Sequence, residues 1–333
     1  MSIESNNCVG LDIGTMNLVV AKNDNDSLQT SHYRNVYLKV DKDSIGSMDL
    51  SSISHSIIDD QMYFLSDSAY NHANVFGLEL CRPMSKGMIS RDLDSIDILA
   101  VMIKSLIDEC EDDDGVCCYS IPANPIDSEL DVIYHENVFS RIIKELNYKP
   151  IPLNEATAIV YSECANTNFT GIGVSFGAGM TNVAVVFKSV PVLAFSLARG
   201  GDWVDRNTAN SIGEIASRVT LIKEKPDFSL TNFNIGNKKR EKRIREALSH
   251  YYANLIKYTT SNIITELNKV TIEFPESVPI VISGGTSKPK DFVKFFSESF
   301  KTFDLPFEIT EIRPSNNPLI TVAEGCLIRS LKG

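Results

Sequence analysis

Two segments of this chain follow the same plan, and that repetition constrains the fold more than any other feature. The first, CVGLDIGTMNLVVAK, runs from Cys8 to Lys22; the second, GIGVSFGAGMTNVAVVFK, runs from Gly171 to Lys188. Each is an apolar strand, a glycine turn with a hydroxyl residue, and a second apolar strand. That pattern predicts a β-hairpin whose turn uses glycine for positive φ and for close backbone approach. An internal duplication of this kind implies two related sub-domains facing one another.

The length, 333 residues, suits one large bilobal unit or two domains, and a hydrophobic content of 43% is enough to fill their cores. The segment SIDILAVMIKSLIDEC places Leu99, Met102, Ile103, Leu106 and Ile107 on one helical face. A buried strand, VCCYSIPAN, follows. Asp127 then serves as N-cap for a helix through SELDVIYHENVFSRIIKELNY, with Leu130, Tyr134, Val138, Ile142 and Leu146 at i, i+4 spacing. Residues 31–80 are polar, rich in Ser and Asp, and read as an irregular inserted lobe. A second insert from about 227 to 270 centres on a long helix, ALSHYYANLIKYTTSNIITEL, and a short strand, VPIVIS, leads to Gly284 and Gly285.

Charge and cysteine usage exclude several functions. A formal net charge of -11 argues against direct nucleic-acid or anionic-membrane binding, since both are driven by cationic surface. No apolar run approaches the roughly 20 residues that span a bilayer. The polar leader MSIESNNC predicts neither a signal peptide nor an amphipathic anchor. The pair Trp203-Val204 reads as core or cleft wall and not as a membrane wedge. Seven scattered cysteines without metal-ligand spacing read as reduced thiols of a cytoplasmic protein, and five dispersed histidines give no zinc pattern. The basic run Asn237–Ile244 has two readings, a solvated helix start or a patch for an acidic neighbour such as a second copy of the chain.

Three glycine turns end strands: Asp12-Ile13-Gly14-Thr15, Gly177-Ala178-Gly179-Met180-Thr181 and Gly284-Gly285-Thr286. Successive backbone N–H groups make anion-binding nests, and glycine lets a phosphate approach closely. The set points to a nucleotide held between lobes, with the Thr15 and Thr181 hydroxyls adding hydrogen bonds. Asp12 would repel a phosphate, so an acid there makes sense if Mg²⁺ lies between, through ordered water.

In order along the chain, LDIGTMNLVV, LNEATAIVYSE, GVSFGAGMTNVAVV, RGGDWVD and VISGGTSKPKDF resemble the actin, heat-shock-chaperone and sugar-kinase ATPase superfamily from residue 8 to about 330. Within it, CRPMSKGMISRDLDSIDILAVMIKSLI, RGGDWVDRNTA and NPLITVAEGCLIRSL are similar to stretches of the bacterial actins of the MreB and MamK kind. The heat-shock chaperones carry a downstream peptide-binding domain that is not expected here.

The resemblance implies an α/β fold of duplicated actin-like (ribonuclease H-like) domains with small inserted lobes and a nucleotide cleft between them. Domain I would span 1–165, with its lobe at about 31–80, completed by a C-terminal helix at about 314–333. Domain II would span 166–313, with its lobe at about 227–270. The implied cofactors are ATP and Mg²⁺. Asp12, Gly14, Thr15, Met16 and Asn17 match the first phosphate loop, with Asp12 holding the metal through water. Ser175, Gly177, Ala178, Gly179, Met180 and Thr181 match the second. Glu155 matches the acid that positions the attacking water, so Glu155 and Asp12 are the catalytic candidates. Gly284, Gly285 and Thr286 match the adenosine-contacting turn, Lys223 and Glu224 the flank of the base and ribose, and Gly201 a turn near the ligand.

Two departures stand out. The family's second loop usually opens with Asp, and here that position holds Ser175; Met180 replaces a threonine. Phosphoanhydride hydrolysis is mostly positioning and charge stabilisation, so losing one such group slows it by roughly 10–1000-fold. The expected function is therefore that of a slow ATPase forming nucleotide-dependent, head-to-tail cytoskeletal filaments in a prokaryotic cell. The alternative is a non-polymerising, nucleotide-dependent switch or adaptor with weak or absent ATPase that acts through a partner protein. A small-molecule kinase is disfavoured, because it needs an acid as general base toward a substrate hydroxyl and larger lobes.

Overall fold

The apolar strand Cys8–Ile13 (β1) is covered on both faces, which is why its sequence shows no polar alternation. A computed structural model of the chain describes residues 7–332 apart from 25–26, 42–48, 112–113, 234–237, 271–273, 275–276, 304 and 306. The leader reading for residues 1–6 and the Asn237 end of the basic run lie outside the described residues.

Two compact units divide the chain: Met1–Ile121, Leu130–Leu153 and Val322–Gly333 form unit 1, and Pro122–Glu129 with Asn154–Thr321 form unit 2. In unit 1, β1 pairs antiparallel with Asn17–Asp24 (β2) and parallel with Val116–Ile121 (β9). Ser27–Arg34 (β3) and Lys149–Asn154 (β10) complete the order β10-β9-β1-β2-β3. In unit 2, Gly171–Phe176 (β11) pairs antiparallel with Thr181–Phe187 (β12) and parallel with Val278–Ser283 (β14). Val190–Leu197 (β13) and Ile309–Pro314 (β15) give β13-β12-β11-β14-β15. The two sheets thus have the same order of hairpin and parallel neighbours, so the duplicated α/β architecture is present.

The duplication extends to helix packing. The helix Thr321–Ser330 lies so close to β1 that a Cβ at Gly10 would fall 2.1 Å from the Ala323 carbonyl oxygen. The helix Glu155–Glu163 meets β11 in the same way: a Cβ at Gly173 would fall 2.1 Å from the Ala156 carbonyl oxygen. Each sheet has one glycine two residues before the position of Asp12 or Ser175, and in each the glycine admits a helix backbone.

The unit 1 core gathers Leu11, Leu18, Leu99, Met102, Phe139 and Ile142; that of unit 2 gathers Val174, Phe176, Val183, Leu255, Ile280 and Phe296. Ser95–Leu106 is helical with the predicted face buried. The next helix differs from expectation. It starts at Val132, and its N-cap is Asp131, whose side chain accepts from the Ile133 and Tyr134 amides. Asp127 instead accepts from the Ala198 amide and the Tyr258 hydroxyl. With that start, His135 faces inward and Tyr134 is exposed.

Residues 31–80 are more regular than their composition suggests. Tyr37–Val40 (β4), His55–Ile58 (β5) and Gln61–Leu65 (β6) form a sheet ordered β4-β6-β5, and Met84–Ser85 (β7) pairs with Met88–Ile89 (β8) just beyond it in the chain. With the helix Ser66–Phe76 it encloses a separate small core of Val36, Leu38, Met62, Phe64, Ala69 and Ala73. The long helix runs Lys239–Leu267 and begins inside the basic run. There Arg245 turns inward to Asp227 and Glu241, and Arg240 pairs with Glu214, while Lys239 and Arg243 are exposed. Val204 is buried in the unit 2 core and Trp203 packs edge-on against Tyr251. No helix among the described residues is long and apolar enough to cross a membrane.

Candidate functional site

The two glycine loops close by the same hydrogen bond. Gly14 N–H donates to the Asn17 carbonyl (3.0 Å), and Gly177 N–H donates to the Met180 carbonyl (2.9 Å). In neither loop is φ positive at the glycines Gly14, Gly177 or Gly179, contrary to expectation. Space favours glycine instead: a Cβ at Gly14 would lie 2.7 Å from the Asn17 carbonyl oxygen, too close to fit unmoved, and one at Gly177 3.0 Å from that of Met180, a tight contact. Among the described residues, no backbone hydrogen bond uses the N–H of Thr15, Met16, Ala178 or Gly179. Free backbone amides grouped in a turn are the kind of donor that can hold an anion.

Equal closure sets the alignment of the two halves. Asn17 corresponds to Met180, and Thr181 corresponds to Leu18, the first core residue after the loop. Thr181 is accordingly buried, and its hydroxyl donates to the Arg199 carbonyl (2.8 Å). Thr15 accepts the Gly87 amide on its hydroxyl oxygen (3.1 Å), which leaves that hydroxyl's own proton for another acceptor.

Beneath the first loop, Asp12 and Ser120 are joined across parallel strands. The Ser120 hydroxyl donates to Asp12 Oδ1 (2.8 Å) and accepts the Ile13 amide (2.8 Å). Burial pushes the Asp12 carboxyl up to about 6, against the opposing effect of the Ser120 hydrogen bond. Asn35 supports the loop from the other side, its amide donating to the Gly14 carbonyl (2.9 Å) and its backbone N–H to the Met16 carbonyl (2.8 Å). Sequence reasoning missed Asn35 and Ser120. The β1–β9 parallel pairing is the signal that leads to Ser120; nothing local marks Asn35.

At the second loop, Glu155 opens its helix behind Asn154, whose side chain caps the Ala156 and Thr157 amides. One Glu155 oxygen accepts the Ser175 hydroxyl (2.5 Å) and the other accepts the Asn182 amide (2.8 Å). Asn182 was another omission. The helix Gly201–Ile212 abuts the loop, its Gly201 and Asp202 amides donating to the Gly177 and Ala178 carbonyls (3.0 and 2.8 Å).

The third turn docks on the second. Thr286 donates to the Gly177 carbonyl (2.8 Å), and Gly284, at φ 90°, passes Phe176 so closely that a Cβ would meet its carbonyl oxygen at 2.3 Å. Gly285 has open space around it. Lys223 lies beside Gly201, its ammonium bound to Asp205 (2.6 Å) and 3.4 Å from the Gly201 carbonyl oxygen. Burial raises the Asp205 carboxyl, with Lys223 working against that rise. Glu224 is exposed at the end of the same helix. Unit 2 therefore brings Glu155, Ser175, Gly177, Ala178, Gly201, Lys223 and Thr286 into one neighbourhood, and unit 1 groups Asp12 with Gly14–Asn17.

A family model described as Volactin matches residues 8–330. The chain belongs to the Volactin family. Among solved structures, a MamK double helical filament aligns with this Volactin-family chain at TM-score 0.73 and 18% identity, over 98% of each chain. MreB5 of Spiroplasma citri bound to AMPPNP aligns at TM-score 0.67 and 15% identity, over 97% of this chain and 96% of its own. The ethanolamine utilization protein EutJ from Carboxydothermus hydrogenoformans gives 0.55 and 14%, over 96% and 89%. No curated protein matches. At these identities the neighbours establish the actin-like fold, which agrees with the resemblance read from the motifs.

Proposed function

We propose that this protein binds Mg-ATP on its paired glycine loops, hydrolyses it slowly, and assembles head-to-tail into nucleotide-dependent filaments. The observation that carries the reading is the pair of identically closed hairpin loops, each with amides outside its own hydrogen bonding, with Glu155 held beside the second. Each unit's donors suit phosphate oxygens: the Thr15 and Met16 amides with the Thr15 hydroxyl in unit 1, and the Ala178 and Gly179 amides in unit 2. A buried carboxyl with a raised proton affinity, Asp12, suits a hydrated divalent cation, whose charge would restore the ionised form. Bound magnesium would supply neutralisation of phosphate charge.

Within this reading the chain's own groups have separable tasks. The loop amides orient the phosphates, Glu155 orients the attacking water, and Gly285 leaves room for the nucleoside. The second loop offers amides without a hydroxyl or an acid, which supports slow turnover. Filament assembly is supported by a neighbour solved as a double helical filament, and nucleotide binding by one bound to AMPPNP. A heterologous contact that does not close produces such a polymer. The second reading, a nucleotide-dependent switch acting through a partner protein, is favoured by the missing acid at Ser175.

Electron microscopy of the purified protein with ATP, with ADP and without nucleotide, beside calorimetry with Mg-ATP, separates the readings. Filaments with ATP support the first. Nucleotide binding with monodisperse particles and a stable ATP-sensitive heteromer supports the second. No heat and no melting shift with Mg-ATP rejects both.

A further inference from the structure

We propose that Ser175 and Asn182 are positioning residues that hold the Glu155 carboxylate in one orientation. On this proposal the serine standing where the family usually has an aspartate strengthens the placement of Glu155. The catalytic consequence rests on the nucleotide-hydrolysis reading above; the clamp itself does not.

The geometry is that of a fork. Ser175 and Asn182 sit directly opposite each other in the β11–β12 ladder, so their side chains rise from neighbouring points on one face of the sheet. Each donates to a different oxygen of the same carboxylate, Ser175 Oγ to Oε1 and Asn182 Nδ2 to Oε2. Two donors on two oxygens fix both the position and the rotation of the group. The Asn182 amide is itself held, because its Oδ1 accepts the Ala123 N–H (3.0 Å) and the NH₂ must then point at Glu155. Behind the fork, Gly173 lets the Glu155 helix rest on β11, and Asn154 caps its first turn.

Charge explains why the donors are neutral. Glu155 is at a helix N-terminus, which favours the anion. A carboxylate at position 175 or 182 would stand within hydrogen-bond reach of Glu155, where two carboxylates do not both ionise. The strands β11, β12, β13 and β14 carry no ionisable residue. On the helix itself the others are Tyr161 and Glu163, the latter bound to Arg313. In the packed segment 122–129, Asp127 serves the Ala198 amide and Tyr258, and Glu129 is exposed. Serine and asparagine therefore belong together as one arrangement.

The test has two arms. In the first, melting temperature is followed from pH 5 to 8 without nucleotide. Asn182→Asp keeps the bond from Ala123 but sets a second acid against Glu155. The folded pair then takes up a proton more readily than the unfolded chain, so the stability deficit against wild type grows as pH rises. The double variant Glu155→Gln, Asn182→Asp restores a donor facing an acceptor and recovers the wild-type pH dependence. An Asn182→Asp curve parallel to wild type overturns the clamp.

In the second arm, phosphate release from Mg-ATP is measured. Ser175→Ala and Asn182→Asp lower kcat on the order of 10-fold to 100-fold with KM little changed, as expected for a misplaced water-orienting group. Ser175→Thr recovers most of the Ser175→Ala loss. Ser175→Ala and Asn182→Asp variants that keep the wild-type kcat overturn the proposal. Should wild type release no phosphate at all, the hydrolysis reading fails, and the melting arm still decides the clamp.

Discussion

The side-chain amide of Asn35 donates to the carbonyl oxygen of Gly14 from a fully buried position, and the other end of that side chain, Oδ1, is buried without a hydrogen-bond partner among the described residues. A fully enclosed polar residue with one end unsatisfied is expensive to keep, and here the return is a first loop held from below. Asn35→Ala is expected to destabilise the protein by about 1–3 kcal/mol and to weaken Mg-ATP binding further than that loss alone explains. Denaturant unfolding beside nucleotide titration measures both; normal affinity in a folded variant would remove Asn35 from the site.

The glycines separate into two kinds. Gly10→Ala and Gly173→Ala drive a methyl into helix backbone that has no freedom to yield, and each is expected to destabilise by about 3 kcal/mol or more. Gly285→Ala adds the same methyl to open space, so its melting temperature stays near wild type while Mg-ATP affinity falls. Thermal unfolding with and without nucleotide distinguishes the two patterns, and a destabilised Gly285→Ala contradicts the open space described here.

Lys223 and Asp205 are both largely buried, with side chains 11% and 5% exposed. Lys223→Met leaves Asp205 with the Thr220 hydroxyl and no cation, which is expected to destabilise by about 3–5 kcal/mol. The motif resemblance places Lys223 beside the base and ribose. Preserved melting with lost affinity would show that ligand contact is its main task; lost melting shows that it supports Gly201.

His135 is expected to contribute to loss of stability in acid. Among the described residues both ring nitrogens are buried without partners, the ring packs edge-on against Phe139, and burial pushes its pKa down from 6.5 to about 4. The unfolded chain takes up the proton first, so this contribution is complete above pH 6.5 and is lost as pH falls toward 4. The shift corresponds to about 3 kcal/mol. His135→Leu should flatten that limb of the stability–pH curve; an unchanged limb assigns it to other groups.

What was legible in the sequence was whatever rests on apolar runs. Both hairpins, the strands VCCYSI and VPIVIS and the long helix stand where the patterns put them, because burial on both faces leaves a continuous apolar run. The lobe within 31–80 was legible as an insert, but its strands were not, because β5 alternates exposed and partly buried residues and the small core draws single residues from several short elements. Asp127 and Asp131 both precede the same helix, and only tertiary partners decide which one caps it. The Glu155 fork was half legible: equal loop closure sets a register that puts position 182 opposite Ser175, but the direction of the Asn182 amide depends on Ala123, far away in the chain.

The contact of Ala323 with Gly10 joins residues 313 positions apart. During synthesis β1 stays uncovered at Gly10 until the helix Thr321–Ser330 has been made. Cleavage of the chain before Thr321 should therefore bare an apolar strand and leave unit 1 prone to aggregation.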